Sequence, residues 1–144
     1  MKKTLLLLLL GFSSIACETG TSVSFEKDLI NKVTTKGNGL KCDKLDILVD
    51  GKIAKSNEII YGQKFEFNFN KTTGFKREKG FAFPGLKMIV LTEKGDTVVS
   101  YGDLYEEYSE KGIGIDPLTL YAELTVASPI ASGKKYEVEI LIWD

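Results

Sequence analysis

Phe65, Phe67 and Phe69 alternate with Glu66, Asn68 and Asn70. A helix scatters side chains spaced by two around its circumference, whereas a β-strand turns successive side chains to opposite faces, so this run predicts a strand with one face in a core and the other in water. The rest of the chain repeats the pattern. Leu45, Ile47 and Val49 alternate with Lys44, Asp46 and Leu48, and the run stops at Asp50-Gly51, a hairpin-type pair. Leu86 to Thr92 is apolar on both faces, which predicts a central strand, and Thr97 to Tyr101 follows it beyond the turn Glu93-Lys94-Gly95-Asp96. Ala122, Leu124 and Val126 share one face of Tyr121 to Val126. In Tyr136 to Trp143 the residues Tyr136, Val138, Ile140 and Ile142 share a face, with Glu137 and Glu139 opposite.

Turn chemistry punctuates these runs. The triplet Glu-Lys-Gly ends at Gly80, Gly95 and Gly112, without a repeat around it, and Gly37-Asn38-Gly39 precedes the strand at Leu45. Phe25, Leu29 and Val33 recur at helical spacing while Val33-Thr34-Thr35 reads as strand, so Phe25 to Val33 is open between the two. Asp103 to Glu110 suits either a turn or two of helix or a surface loop. Asp116-Pro117 reads as an N-cap followed by proline at the first helical position, which predicts a short helical turn before the strand at Tyr121. Short strands, frequent turns and no sustained helical period define the fold class as all-β, an antiparallel β-sandwich of about 6–8 strands.

Ahead of this domain lies a different kind of segment. Lys2 and Lys3 are followed by six leucines from Leu5 to Leu10 and then by the small-residue stretch Ser13, Ser14, Ile15, Ala16, Cys17. Charge, apolar core and small residues in that order form a secretory signal, and the apolar stretch falls short of the roughly 20 residues that span a bilayer. Ser14-Ile15-Ala16-Cys17 resembles the lipobox of bacterial lipoproteins, with serine where leucine is usual. The resemblance implies diacylation of the Cys17 thiol, cleavage before Cys17 and attachment to a bacterial envelope membrane, with the domain outside the cytoplasm. The implied organisation is a signal peptide over 1–16, a small, polar tether over 17–24 and a β-sandwich domain over 25–144. Gly133 ahead of Tyr136, with the alternating run that ends in Trp143, resembles the closing strands of immunoglobulin-like modules in bacterial surface proteins; the cysteine pair and core tryptophan of antibody domains are absent. The similarity implies a shape, not an activity.

Cleavage before Cys17 removes Lys2 and Lys3 and shifts the formal net charge from −1 to −3. No basic excess is left for nucleic acid. Cys42, the second of two cysteines, has no intrachain disulfide partner once Cys17 carries lipid, and a small buried hydrophobe is the simpler reading than a reactive thiol. The chain has no histidine, the commonest general base and zinc ligand. It has no phosphate-binding glycine loop and no Gly-x-Ser-x-Gly elbow. Asp103, Glu106, Glu107 and Glu110 could serve glycoside chemistry only if paired across a cleft, and the same stretch extended to Asp116 lacks the EF-hand spacing for calcium. No enzyme, cofactor or metal is expected.

Aromatic residues gather at Phe75, Phe81 and Phe83 and at Tyr101, Tyr105 and Tyr108. Exposed, they would stack on a sugar or anchor a protein interface; folded inward, Phe81 and Phe83 would cover the core from one face. The expected function is a lipid-anchored, non-catalytic protein-binding or structural module, with an envelope protein or a glycan as partner. A carbohydrate-binding surface lipoprotein and a strand-exchanging, pilus-like subunit are the alternatives. The simpler expectation for the terminal strand is an internal place in a complete sheet; an open edge beside Trp143 would favour strand exchange. Replacing Cys17 by serine should move the protein from the membrane fraction to the soluble fraction, and mass spectrometry of the native protein should show the added acyl mass; an unmodified sulfur would refute the anchor.

Overall fold

The computed structural model describes residues 23–28 and 33–144, with side chains described from Gly39 onward. The leader over 1–16 and the anchor Cys17 lie outside the described residues, as does the tether up to residue 22. Among the described residues, nine antiparallel strands make up nearly all the regular structure. β1 (Val23–Asp28) and β2 (Val33–Asn38) pair only with each other, in a two-stranded sheet. Phe25 stands in β1 and Val33 in β2, so strand pairing takes both, and Leu29 lies outside the described residues.

The remaining strands form two sheets. β3 (Lys44–Val49), the two-residue β4 (Lys52–Ile53), β5 (Lys64–Thr72) and β8 (Leu118–Thr125) make one, in the order β4-β3-β5-β8. β6 (Gly85–Thr92), β7 (Thr97–Asp103) and β9 (Tyr136–Trp143) make the other, in the order β7-β6-β9. Both sheets bury their inward rows in one hydrophobic cluster. Ile47, Phe67, Phe69, Leu118, Leu120, Ala122 and Leu124 come from the first sheet, and Leu86, Met88 and Val90 from the second. Alternation in the sequence becomes burial here: along β8 the odd residues face solvent and the even ones are buried. The register carries it across the sheet, since Ile47 lies opposite Phe67 and Phe67 opposite Ala122. Phe65 and Phe67 meet edge to face, with ring centroids 5.0 Å apart.

Turns fall where the dipeptides placed them. Asp50 and Gly51 both have positive φ, the requirement of the tight turn that joins β3 to β4 through the pair Val49 and Lys52. β5 departs from regular pairing with β8 between Phe69 and Thr72; there the Thr72 hydroxyl donates to the Phe69 carbonyl at 3.0 Å, satisfying a polar group inside the core.

Two expectations are corrected. No helical turn follows Asp116-Pro117: β8 begins at Leu118, paired with Thr72, and the Asp116 carboxylate bonds to the Arg77 guanidinium at 3.3 Å instead of capping a helix. The terminal strand is not internal. β9 pairs with β6 along its whole length and, among the described residues, no strand lies on its other side. Its place at the edge depends on which strand lies beside it, information that its own alternation does not carry.

Leu86 is fully enclosed on the central strand of its sheet. Leu86→Ala should lower the free energy of unfolding by about 3 kcal/mol, within the usual range for a buried leucine, as read by the denaturant midpoint at unchanged slope.

Candidate interaction surface

The acidic, tyrosine-rich segment after β7 is a structural clasp. Asp103 Oδ1 accepts hydrogen bonds from the backbone N–H of Leu86 at 3.0 Å and of Tyr105 at 2.9 Å, which fixes the loop to the start of β6. This carries Tyr105 inward, where it is 7% exposed. Its hydroxyl accepts the Tyr121 N–H at 2.9 Å and donates to the Tyr121 carbonyl at 3.4 Å. Burial holds the Tyr105 phenol above the ordinary tyrosine value, opposed by its hydrogen bond to the Tyr121 backbone. Tyr108 stands at the start of the one-turn helix α1 (Tyr108–Lys111), tilted against Tyr105 with centroids 5.8 Å apart. Lys111 lies over the Tyr108 ring and bonds Glu107 at 2.9 Å, and this lysine is the main cause of a lowered Glu107 carboxyl.

The three tyrosines do not form an exposed planar row. Tyr105 belongs to the core, Tyr108 is half-buried, and Tyr101 stands on β7 opposite Met88. The carboxylates disperse too: Asp103 is bonded to backbone, Glu107 to Lys111 and Asp116 to Arg77, and no three of His, Cys, Asp or Glu converge among the described residues.

The phenylalanines divide similarly. Between Phe81 and Phe83 it is Ala82 that points into the core, while Phe81 remains 43% exposed. Ala82 pairs with Ile113 in an isolated bridge, and the rings lie against the glycines that flank Ile113: a Cβ on Gly112 would fall 3.0 Å from the Phe83 ring, and one on Gly114 3.3 Å from the Phe81 ring. The expectation that both cover the core from one face fails: neither joins the core cluster, and the Phe83 ring lies against Gly112 and the Phe81 ring against Gly114. Phe75 is half-buried against the core and lines a shallow depression of about 220 Å³ with Thr72, Thr73, Gly74, Arg77 and Asp116. Arg77 spans its rim, donating to the carbonyls of Gly80 at 2.8 Å and Ile115 at 2.7 Å. Cys42 is half-buried and packs on the core as a small hydrophobe does.

The sheet edges set one surface apart. An edge strand presents unpaired N–H and C=O groups that another chain can pair with, and proteins usually blunt such edges by shortness, bulges or covering side chains. β4 is only two residues long. β7 pairs with β6 through two irregularities, one between Lys87 and Met88 and one between Val90 and Leu91. β8 is blocked at its middle by Tyr105, whose hydroxyl takes both backbone groups of Tyr121. β9 has none of these devices: its eight residues run without a bulge from Tyr136 opposite Thr92 to Trp143 opposite Gly85.

The side chains of β9 suit a partner as well. On the inward face Tyr136, Val138, Ile140 and Ile142 are only half-buried, while their neighbours Leu86, Met88 and Val90 are almost fully enclosed. An apolar strip therefore continues past the last strand. On the outer face Leu141 is 49% and Trp143 41% exposed. The Trp143 indole lies across Gly85, where a Cβ would come within 2.0 Å of the ring, so glycine is required opposite it. Asp144 accepts the Lys76 N–H at 3.0 Å and ties the strand end to the loop before β6. Sequence reasoning listed the aromatic clusters as candidate ligand sites and held an open edge beside Trp143 only as the alternative to an internal strand; the signal available was the alternating run ending there.

No family model, curated protein or solved structure matches this chain. Among the described residues no helix is long and apolar enough to cross a membrane.

Tyr105→Phe should cost about 1 kcal/mol, because it leaves the part-buried backbone N–H and C=O of Tyr121 on β8 without their hydroxyl partner. The raised Tyr105 phenol adds a pH dependence. The folded state holds this proton more tightly than the unfolded state, so its stabilising contribution is complete below the ordinary tyrosine value and falls as pH rises through the folded one. Unfolding midpoints should therefore drop in alkali, and the drop should be smaller in Tyr105→Phe.

Proposed function

We propose that this protein is a lipid-anchored lipoprotein of the bacterial cell envelope whose folded part is a non-catalytic protein-binding module, engaging its partner by strand addition along β9. The single observation that carries the docking reading is the unguarded edge of β9 beside a half-buried apolar strip. Main-chain hydrogen bonds to such an edge supply affinity, and the alternating side chains supply selectivity. The anchor on Cys17 rests on the lipobox resemblance, and the domain is held outside the cytoplasm by it.

The strand order supports an immunoglobulin-like sandwich. In that fold one sheet runs A-B-E and the other C′-C-F, with G beside F. β3-β5-β8 follows the first order and β7-β6-β9 the second. β9 then occupies the place of F, and no described strand occupies the place of G. A strand supplied by another chain fits that place, which joins the protein-binding reading to the strand-exchange alternative. The carbohydrate alternative draws no support from the tyrosines, since Tyr105 is enclosed.

A photo-crosslinking residue placed at Leu141, on β9, should give a discrete adduct in living cells, while one at Asn68, on the outer face of the other sheet, should give none. Adducts of equal yield from both positions, or none from Leu141, would overturn docking at β9.

A further inference from the structure

We infer that the segment received by β9 is an extended strand with two basic residues two positions apart, an apolar residue between them, and apolar residues on both faces beyond. This deepens the docking reading and rests on it. Glu137 and Glu139 stand on the outer face of β9, both exposed. Directly opposite them across the ladder stand Leu91 and Ile89, and the cation on that face of β6, Lys87, stands opposite Leu141, diagonal to Glu139. Among the described residues, neither carboxylate takes part in an ion pair. Residues directly opposite on one face of a sheet interact most strongly, so the missing cations belong on the incoming strand.

The same ladder sets the rest of the pattern. Val138 and Ile140 point inward at alternate positions, so the residue between the two basic ones meets the apolar strip. Past Glu139 the outer face turns apolar at Leu141 and Trp143, so the far end of the partner is apolar on both faces. This asymmetry gives the incoming strand a direction as well as a register.

A second copy of β9 is the poorer occupant. The strand from Tyr136 to Trp143 contains no lysine or arginine, so pairing two copies along its full length, with Ile140 near the centre and outer face beside outer face, supplies no cation and puts four carboxylates on one joined face. Like charges brought together across a sheet oppose pairing.

The test uses the intact chain in detergent and two synthetic eight-residue peptides, alternating valine with either lysine or glutamate at the two positions meant to face Glu137 and Glu139. Trp143, the one tryptophan of the sequence, reports docking by its fluorescence. The lysine peptide should bind about fivefold more tightly than the glutamate peptide at low salt, with the gap narrowing as salt rises. The double variant Glu137→Lys with Glu139→Lys should reverse the preference, its fold checked by circular dichroism. Equal binding of both peptides to wild type and variant would overturn the charge assignment and leave docking at β9 standing. No response to either peptide would overturn docking itself. Dimers in sedimentation that peptide dissociates would make a second copy the occupant and refute the inference.

Discussion

Backbone hydrogen bonding is the constraint on which the rest of this structure depends. Every strand must pair its N–H and C=O groups, and every inward row must reach one shared core. These two demands are met together only because the side-chain period is two, so a register that matches Ile47 to Phe67 and Phe67 to Ala122 puts whole rows on one side. A slip of one residue would turn Phe65, Phe67 and Phe69 outward and Glu66 and Asn68 into the cluster. Register is therefore strongly specified in the centre of each sheet. What the core does not specify is how a sheet stops, and each edge has its own local solution.

Those solutions differ in how visible they were from the chain. The strands were legible because a two-residue period is a local property, and the central place of Leu86 to Thr92 was legible because an apolar residue on both faces has few other homes. Asp50-Gly51 and the glycine of each Glu-Lys-Gly triplet were legible for the same reason: positive φ is a property of one residue and its turn. The burial of Tyr105 was not, because it arises from a bond to Tyr121, sixteen positions away, and from Asp103 anchoring the loop to β6. The reversal at Phe81 and Phe83 was equally hidden, since it depends on a bridge between Ala82 and Ile113 that turns the small residue inward. The side chains of the candidate site were readable in the sequence; its place at a sheet edge was not settled there, because an edge is defined by a neighbour that is missing.

The contrast between β8 and β9 turns an absence into an argument. Both flank a fully paired strand and both alternate cleanly, so intrinsic strand quality does not separate them. At β8 the chain places a tyrosine hydroxyl on both outward-facing backbone groups of Tyr121, in the middle of the strand. At β9 it places alternating glutamates, which keep an edge soluble without blocking it. Charge on an edge strand discourages pairing with a copy of itself. The same charge attracts a strand of opposite sign, so under the proposed docking one device would both oppose self-association and select a partner.

Strand addition brings a cost that the proposed anchor helps to offset. Ordering an extended partner loses conformational entropy, roughly 1–2 kcal/mol for each residue of backbone fixed, and main-chain bonds exposed to water return only part of it. An edge with a half-buried apolar strip supplies the missing term, because the incoming side chains cover Val138, Ile140 and Ile142 and are covered in return. A lipid tether adds to this without a new contact: holding the module and an envelope partner at the same membrane raises their effective concentration and converts a modest affinity into lasting occupancy. On this reasoning the edge needs only moderate affinity, and its specificity rests on Glu137 and Glu139 more than on the apolar strip, which any hydrophobic strand would cover.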